Sequence, residues 1–429
     1  MFGFIFILFK FAFYNLLCLL AYILLIFILK LRLKNRSKRR NDTKRIVSFM
    51  HPFCNDCGGG EKVLWMMIKG ISQEYQASHS GPKLKINILC GVKDESKYIL
   101  KNLEDRFDIK ILNTDKNPIY EIELIRLKTA HLLKPKPIFT MFIQIIGQIV
   151  FAIEILTTVH SDIIIDTTGL PFTYFILRSL GQVRLSAYTH YPFISSDMIS
   201  DIKNGVQGVH SRGIFSKFPF LRYFKIFYYY VILVFYRFNG LFLEFVFCNS
   251  TWTYSHIKQI WPNLKSTILY PPCSISLYET NQGNHNRKNI IVSFAQFRPE
   301  KNHKMQVEIF KKLLMRNFCR DLKLCIIGSI RDKADRKIYE ELENYIHENR
   351  LDDYVELCPN LPFNEVKKKF EAAKIGLHTM RDEHFGISVI EMMAAGLITV
   401  AHKSAGPLND IIGPASSPVG ILAESKINK

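Results

Sequence analysis

RIVSFMHPFCNDCGGGEKVLWMMIKGI, residues 45–71, decides the fold. Arg45 to His51 is a short apolar run, as a buried strand is. Gly58, Gly59 and Gly60 make a loop, and Val63, Leu64, Met67 and Ile68 recur at the spacing of one helix face. Strand, glycine loop and helix form the opening unit of a doubly wound α/β sheet. The alternation continues outward through strand-like runs at 85–92, 162–166, 184–190, 289–295, 322–328, 354–358, 375–379 and 397–402, most of them followed by candidate helices. The prolines Pro271 and Pro272 divide these runs into two sets. The expectation is an α/β protein of two Rossmann-like doubly wound domains facing a cleft, over 46–268 and 269–429.

Upstream of that unit, Phe11 to Leu29 is 19 residues without a charge, enough to span a hydrocarbon core of roughly 30 Å as a helix. A cleaved signal peptide competes, but the run is long, has only Lys10 before it and is followed by no small-residue cleavage site. Residues 1–30 therefore read as a transmembrane helix and 31–45 as a basic juxtamembrane linker. From Lys30 to Arg45 nine basic residues face one acid, Asp42, so the positive-inside rule puts the downstream chain in the cytosol and the short N-terminus in the lumen. That cluster carries much of the formal charge of +19. Beside an anchor its natural partner is an anionic membrane surface, and nucleic acid is not expected. The chain has nine cysteines, scattered without regular spacing; they do not make a disulfide scaffold, and they exclude a small secreted domain.

Two further segments are unusually apolar. Residues 138–153 are uncharged, and 218–247 contain IFYYYVILVFY (226–236) crowded with aromatics and flanked by Lys217, Arg222, Lys225 and Arg237. Neither run is long enough to cross a bilayer comfortably. The second is the better candidate for in-plane membrane contact; for the first, a buried helix is the plainer reading.

Three loops concentrate the chemistry. In the first, Gly58, Gly59, Gly60 and Glu61 open a helix whose bare backbone can approach a phosphate, although a structural turn explains three glycines equally well. Its CxxC, Cys54 and Cys57, has no second pair to complete a zinc site and reads as incidental. The second is SFAQFRPEKNHKM (293–305), where Arg298 and Lys301 leave the C-terminal end of a strand, the place where open α/β sheets bind ligands; a solvated charged turn is the alternative. The third is RDEHFGISVIEMMAAG (381–396). Glu391 falls on a helix starting at Gly386 and Glu383 lies just before it, so both carboxylates can face one polyol while the N–H groups of Gly386, Ile387 and Ser388 point at its phosphates.

The glutamate pair, the MMAAG helix and the following SAGP turn (404–407) resemble the nucleotide-sugar signature of retaining glycosyltransferases with the GT-B fold. With HPFCNDCGGGEKVLW, THYPFISSDMIS (189–200), FCNSTWTYSHI (247–257), LYPPC (269–273) and FRPEKNH (297–303), the sequence resembles the GDP-mannose:dolichyl-diphosphate-oligosaccharide α-1,2-mannosyltransferases of asparagine-linked glycosylation. That resemblance covers nearly all the chain. It implies a cytosol-facing enzyme of the endoplasmic reticulum membrane that takes GDP-mannose as donor and dolichyl-diphosphate-linked trimannosyl chitobiose as acceptor, adding the fourth and fifth mannoses. Other mannosyltransferases of the pathway are candidate partners.

By the same resemblance Arg298 and Lys301 neutralise the donor diphosphate, Glu391 binds the ribose, Glu383 holds the mannose hydroxyls, and His190 in THYP faces the reacting sugar. Cations and a helix end can take the place of a metal, so no metal or other cofactor is expected. Front-face displacement is the usual proposal for such retaining transfer, since a double displacement needs a carboxylate on the opposite face. The sequence departs from the family at Asp56 and Cys57, which replace small residues, and at Ala405, where a glycine is usual. The family's chains continue beyond GILAES with helices that close the second domain, which makes a truncated chain the expectation. Two other readings stay open: another membrane GT-B enzyme with a UDP-sugar donor, and a non-catalytic membrane scaffold.

Overall fold

The computed structural model describes residues 44–424 except 56–57, 79–81, 93–98, 100–119, 135–139, 204–218, 274, 279–286, 317–320, 415 and 417–418. The expected transmembrane helix, most of the basic linker, and the departures at Asp56 and Cys57 lie outside the described residues.

Two parallel sheets form the frame. The first comprises β1 (Lys44–Met50), β2 (Lys83–Cys90), β3 (Tyr120–Arg126), β4 (Ile163–Asp166), β5 (Arg184–Thr189), β6 (Phe245–Cys248) and β7 (Ser266–Ile268), in the order β3-β2-β1-β4-β5-β6-β7. The second comprises β8 (Ile290–Phe294), β9 (Lys323–Gly328), β10 (Val355–Pro359), β11 (Ile375–His378), β12 (Ile398–His402) and β13 (Ile421–Ala423), in the order β10-β9-β8-β11-β12-β13. Both start at an inner strand, wind one way, return and wind the other way. Each therefore has a switch point, between β1 and β4 and between β8 and β11, where connecting helices leave on opposite faces and open a crevice.

The helices are α1 (Gly59–Ala77), α2 (Thr140–Thr158), α3 (Tyr174–Gly181), α4 (Ser196–Lys203), α5 (Pro219–Gly240), α6 (Thr251–Ile260), α7 (His303–Met315), α8 (Lys333–Glu348), α9 (Phe363–Ala372) and α10 (Ile387–Ala394). They cover the sheets as the burial pattern requires. Leu64, Trp65 and Ile68 of α1 pack on Phe49, Ile86 and Ile88 on one side of the first sheet. On its other side Phe151 and Ile155 of α2, Leu177 of α3 and Ile257 of α6 pack on Met50, Ile164, Leu185 and Val246. The strand interiors are apolar because both faces are covered.

The segment at 138–153 becomes α2, which is only partly a core helix. It buries Gly147, Phe151, Ala152 and Ile155 but exposes Phe142, Ile146, Ile149 and Ile153, a second apolar stripe at helical spacing. By length and composition alone this 19-residue helix could cross a membrane. The segment at 218–247 is not one unit. Its first part is α5, which buries Tyr229, Ile232 and Tyr236 and exposes Phe224, Phe227, Tyr230, Val234, Phe235 and Phe238; its last residues enter β6, an inner strand of the sheet. Between the two helices, Phe175 of α3 meets Phe238 and Phe242 edge-on or tilted, at 5.8 and 5.2 Å.

Candidate active site

The C-terminal strand ends of both sheets open into one cavity of ≈ 800 Å³. All twelve residues singled out in the sequence line it: Gly58, Gly59, Gly60, Glu61 and His190 from the first domain, and Arg298, Lys301, Glu383, Gly386, Ile387, Ser388 and Glu391 from the second. They meet because β1 and β5 deliver the glycine loop and His190 from one side, while β8 and β11 deliver the two charged loops from the other.

In the second domain Glu383 is the hub. Its Oε2 accepts hydrogen bonds from Lys301 Nζ at 2.5 Å and His378 Nε2 at 2.9 Å. Burial alone would raise this carboxyl, but the Lys301 charge and the His378 hydrogen bond overcome it and hold Glu383 well below the usual carboxylate range. The supporting loops are tied together: Thr379 Oγ1 donates to the Lys301 carbonyl at 2.9 Å, and Gln306 Nε2 donates to Thr379 Oγ1 at 2.7 Å. Gly386 opens α10 at φ +109°, a left-handed conformation that only glycine adopts without strain. The SAGP turn braces this corner, Gly406 N donating to the Glu383 carbonyl at 2.9 Å. Arg298 sits half-exposed at the rim, 3.5 Å from Glu300.

In the first domain Glu61 fixes the glycine loop. Its Oε2 accepts from Gly58 N at 2.7 Å, the return half of a capping box, and its Oε1 lies 3.3 Å from His51 Nε2. His51 Nδ1 is in turn 2.8 Å from Thr167 Oγ1 at the end of β4, so the two loops of the first switch point are bridged. Burial, then His51 and less so His384, lowers His190 to about 4 against the opposing pull of Glu61 and a hydrogen bond to the Thr167 backbone, so the ring is neutral near pH 7. The His190 Nε2 atom is buried without a hydrogen-bond partner among the described residues and lies beside Gly60. A buried imidazole nitrogen without a partner at the cavity wall can hydrogen-bond a ligand.

Several residues that join the domains carried no sequence signal of their own. Lys62, buried directly after the glycine loop, reaches Glu391 of α10 at 3.2 Å. His384 stacks on Tyr191 at 4.3 Å and on Trp252 at 5.4 Å, both rings from the first domain. Asp410 accepts from Thr251 N at 3.0 Å, at the N-terminus of α6, and from the Tyr270 hydroxyl at 3.0 Å. His51 and His378 were likewise not singled out. Lys62, His51, Tyr191, Thr251, Trp252, Tyr270 and His384 stand inside the motifs quoted above, so the motifs placed them, but a partner in the other domain or strand gave them their roles. Away from the cavity, Cys325, Glu356 and Cys358 come together on β9 and β10, where both Glu356 oxygens are held by Lys369 at 2.6 Å.

Residues 44–261 match the family described as ALG11 mannosyltransferase N-terminus, and residues 278–429 match glycosyl transferases group 1. The chain is 37% identical to the GDP-Man:Man(3)GlcNAc(2)-PP-Dol alpha-1,2-mannosyltransferase of Xenopus laevis over 393 residues, covering 89% of this chain and 78% of that protein. It is 35% identical to the protein of the same name from Homo sapiens over 402 residues, covering 91% and 79%. Among solved structures it resembles HepE of Anabaena, in complex with UDP and glucose, with a TM-score of 0.56 at 16% identity over 88% of this chain and 85% of that one. Sucrose-phosphate synthase from Thermosynechococcus elongatus gives a TM-score of 0.59 at 12% identity over 89% and 86%. Those two likenesses carry the two-domain GT-B fold alone, whereas identity above a third along both domains carries more: the chain belongs to the ALG11 family of mannosyltransferases.

Proposed function

We propose that this chain transfers mannose from GDP-mannose, in α-1,2 linkage and with retention, to trimannosyl chitobiose on dolichyl diphosphate, adding the fourth and fifth mannoses at the cytosolic face of the endoplasmic reticulum. The observation that carries the reading is the Lys301–Glu383–His378 cluster at the second switch point, facing the glycine loop and the unpaired His190 across one cavity.

In this reading Glu383, kept ionised by Lys301 and His378, accepts mannose hydroxyls and fixes the sugar. Arg298, Lys301 and the first turn of α10 meet the negative charge that grows on the diphosphate as the glycosidic bond breaks. Neutral His190 offers Nε2 to a hydroxyl of the reacting sugar. Among the described residues the carboxylates that line the cavity are Glu61, Glu383 and Glu391. Glu61 is committed to Gly58 and His51. That arrangement favours front-face displacement over a double displacement on a carboxylate nucleophile. With cations and a helix end available for the diphosphate, the reaction runs without a divalent metal.

The exposed apolar faces of α2, α3 and α5 lie in the membrane interface in this reading, with the 1–30 helix as anchor, the N-terminus lumenal and lipid headgroups against the basic linker. The test is to incubate membranes containing the chain with labelled GDP-mannose and the lipid-linked acceptor, beside a Glu383→Ala variant, with and without chelator. Products one and two mannoses larger are expected, reduced on the order of 100-fold or more by the substitution and unchanged by chelator. Preference for a UDP-sugar, or acceptor binding without turnover, would overturn the reading; strict manganese dependence would overturn its metal-free chemistry.

A further inference from the structure

Lys62 is a buried cation that the reaction outlined above does not use. Its residue is 4% exposed, it belongs to the first turn of α1, and its Nζ lies 3.2 Å from Glu391 Oε1 on α10, across the interdomain cleft. The pair is 329 residues apart in sequence and lines the cavity from both sides. Taking an ammonium and a carboxylate out of water costs several kcal/mol per ion, and apolar replacements of such pairs are often neutral or stabilising, so the pair is poorly explained as a stability device. Its placement explains it better. Lys62 holds one carboxylate oxygen from the first domain, and the buried Tyr278 hydroxyl hydrogen-bonds the same carboxylate from the second.

We propose that Lys62 is the positioning residue for Glu391: it orients the carboxylate that takes the donor ribose, and does so only when the two domains are closed on each other. The proposal rests on the assignment of Glu391 to the ribose. A carboxylate held by Tyr278 alone keeps some freedom that it must lose when the ribose binds; one held by Lys62 as well has lost it beforehand, so the donor binds more tightly. Because Lys62 comes from the first domain and Glu391 and Tyr278 from the second, opening the cleft breaks the Lys62 contact and leaves the carboxylate held by Tyr278 alone, which loosens the ribose site. Donor affinity and domain closure are thereby coupled, and the donor leaves more readily from the open form. Arg298, Lys301 and Glu383 all come from the second domain and cannot supply this coupling.

The experiment measures donor KM and kcat for the full chain in membranes, as wild type, Lys62→Met, Lys62→Arg, Glu391→Gln and the Lys62→Met/Glu391→Gln double variant. Lys62→Met is expected to raise donor KM about tenfold, the scale of one lost charge-assisted hydrogen bond, with kcat changed by less than about threefold. Lys62→Arg, which keeps the cation, restores most of the affinity. In the Glu391→Gln background Lys62→Met adds less than about twofold, because it acts through that carboxylate. An unchanged KM, a fall in kcat alone, or a full KM rise in the Glu391→Gln background overturns the proposal. Lys62→Gln is the second variant should Lys62→Met not fold, and an unchanged KM there overturns it equally. If the wild type uses a UDP-sugar instead of GDP-mannose, the proposed function fails while the same comparison with that donor still decides the role of Lys62, because the ribose is common to both.

Discussion

His190 shows how burial sets the chemistry of one side chain. Its ring is lowered from 6.5 to about 4, chiefly by desolvation. Between those two values the unfolded chain binds a proton that the native ring refuses, so the native state loses stability as pH falls through that window; above about 6.5 the contribution is complete, and below about 4 it is gone. His303 and His384 are lowered for the same reason and share the slope. His190→Gln should therefore lose less thermal stability than the wild type between pH 7 and pH 5, in melts of the detergent-solubilised chain. An equal loss would mean that this ring does not contribute. The THYP motif placed His190, but its neutrality depends on what packs around it and was not legible. The departure at Ala405 also acquires a physical meaning here. It adopts φ +43°, a left-handed conformation that glycine takes without strain, which fits the glycine that the family resemblance leads one to expect there.

At the scale of elements, the strands that were legible are the apolar ones. β1, β2, β4, β5 and β8 to β12 coincide with runs that read as buried strands. β3, YEIELIR, did not, because it is a sheet edge and carries Glu121 and Glu123, the first paired with Lys44. β7 and β13 are only three residues long, too short for any period to register, and β6, four residues like β4 and β11, was absorbed into the apolar segment 218–247. The amphipathic helices hold a different lesson: α2 and α5 are apolar on the core side and on the outer side too, so composition announced them but could not divide buried from exposed. On α5, Phe227 is 67% and Val234 63% exposed, which makes them suited to a membrane and nearly free of folding role. Replacing both by Lys should change folding stability by less than about 1 kcal/mol. Transfer to the lipid-linked acceptor in vesicles should fall about fivefold or more, while transfer to a short-chain acceptor in detergent stays near wild type. Equal losses in both assays would place the defect in the fold, not at the membrane.

For the whole molecule, the two sheets share one winding order, and that symmetry brings two switch points face to face. The motifs at each were local in sequence and therefore readable. The contacts that close the cleft were not: Lys62 and Glu391 are 329 residues apart, Thr251 and Asp410 159 apart, and neither pairing exists until the domains dock. Asp410 is the more telling of the two at this scale. Ser250 already caps α6 by accepting from Thr253 N, so the Asp410 carboxylate satisfies a further free N–H at a positive helix end from across the interface, and takes the Tyr270 hydroxyl as well. Asp410→Ala leaves the Ser250 cap intact and should cost α6 only about 1 kcal/mol. Its larger effect should be on docking. With one fluorophore on each domain, the variant without donor should populate a wider separation than wild type, donor should restore the narrow one, and kcat/KM should fall on the order of tenfold. A lowered melting temperature with an unchanged separation would mean that Asp410 serves its helix alone, leaving closure to the Tyr191–His384 stack and the Lys62–Glu391 pair.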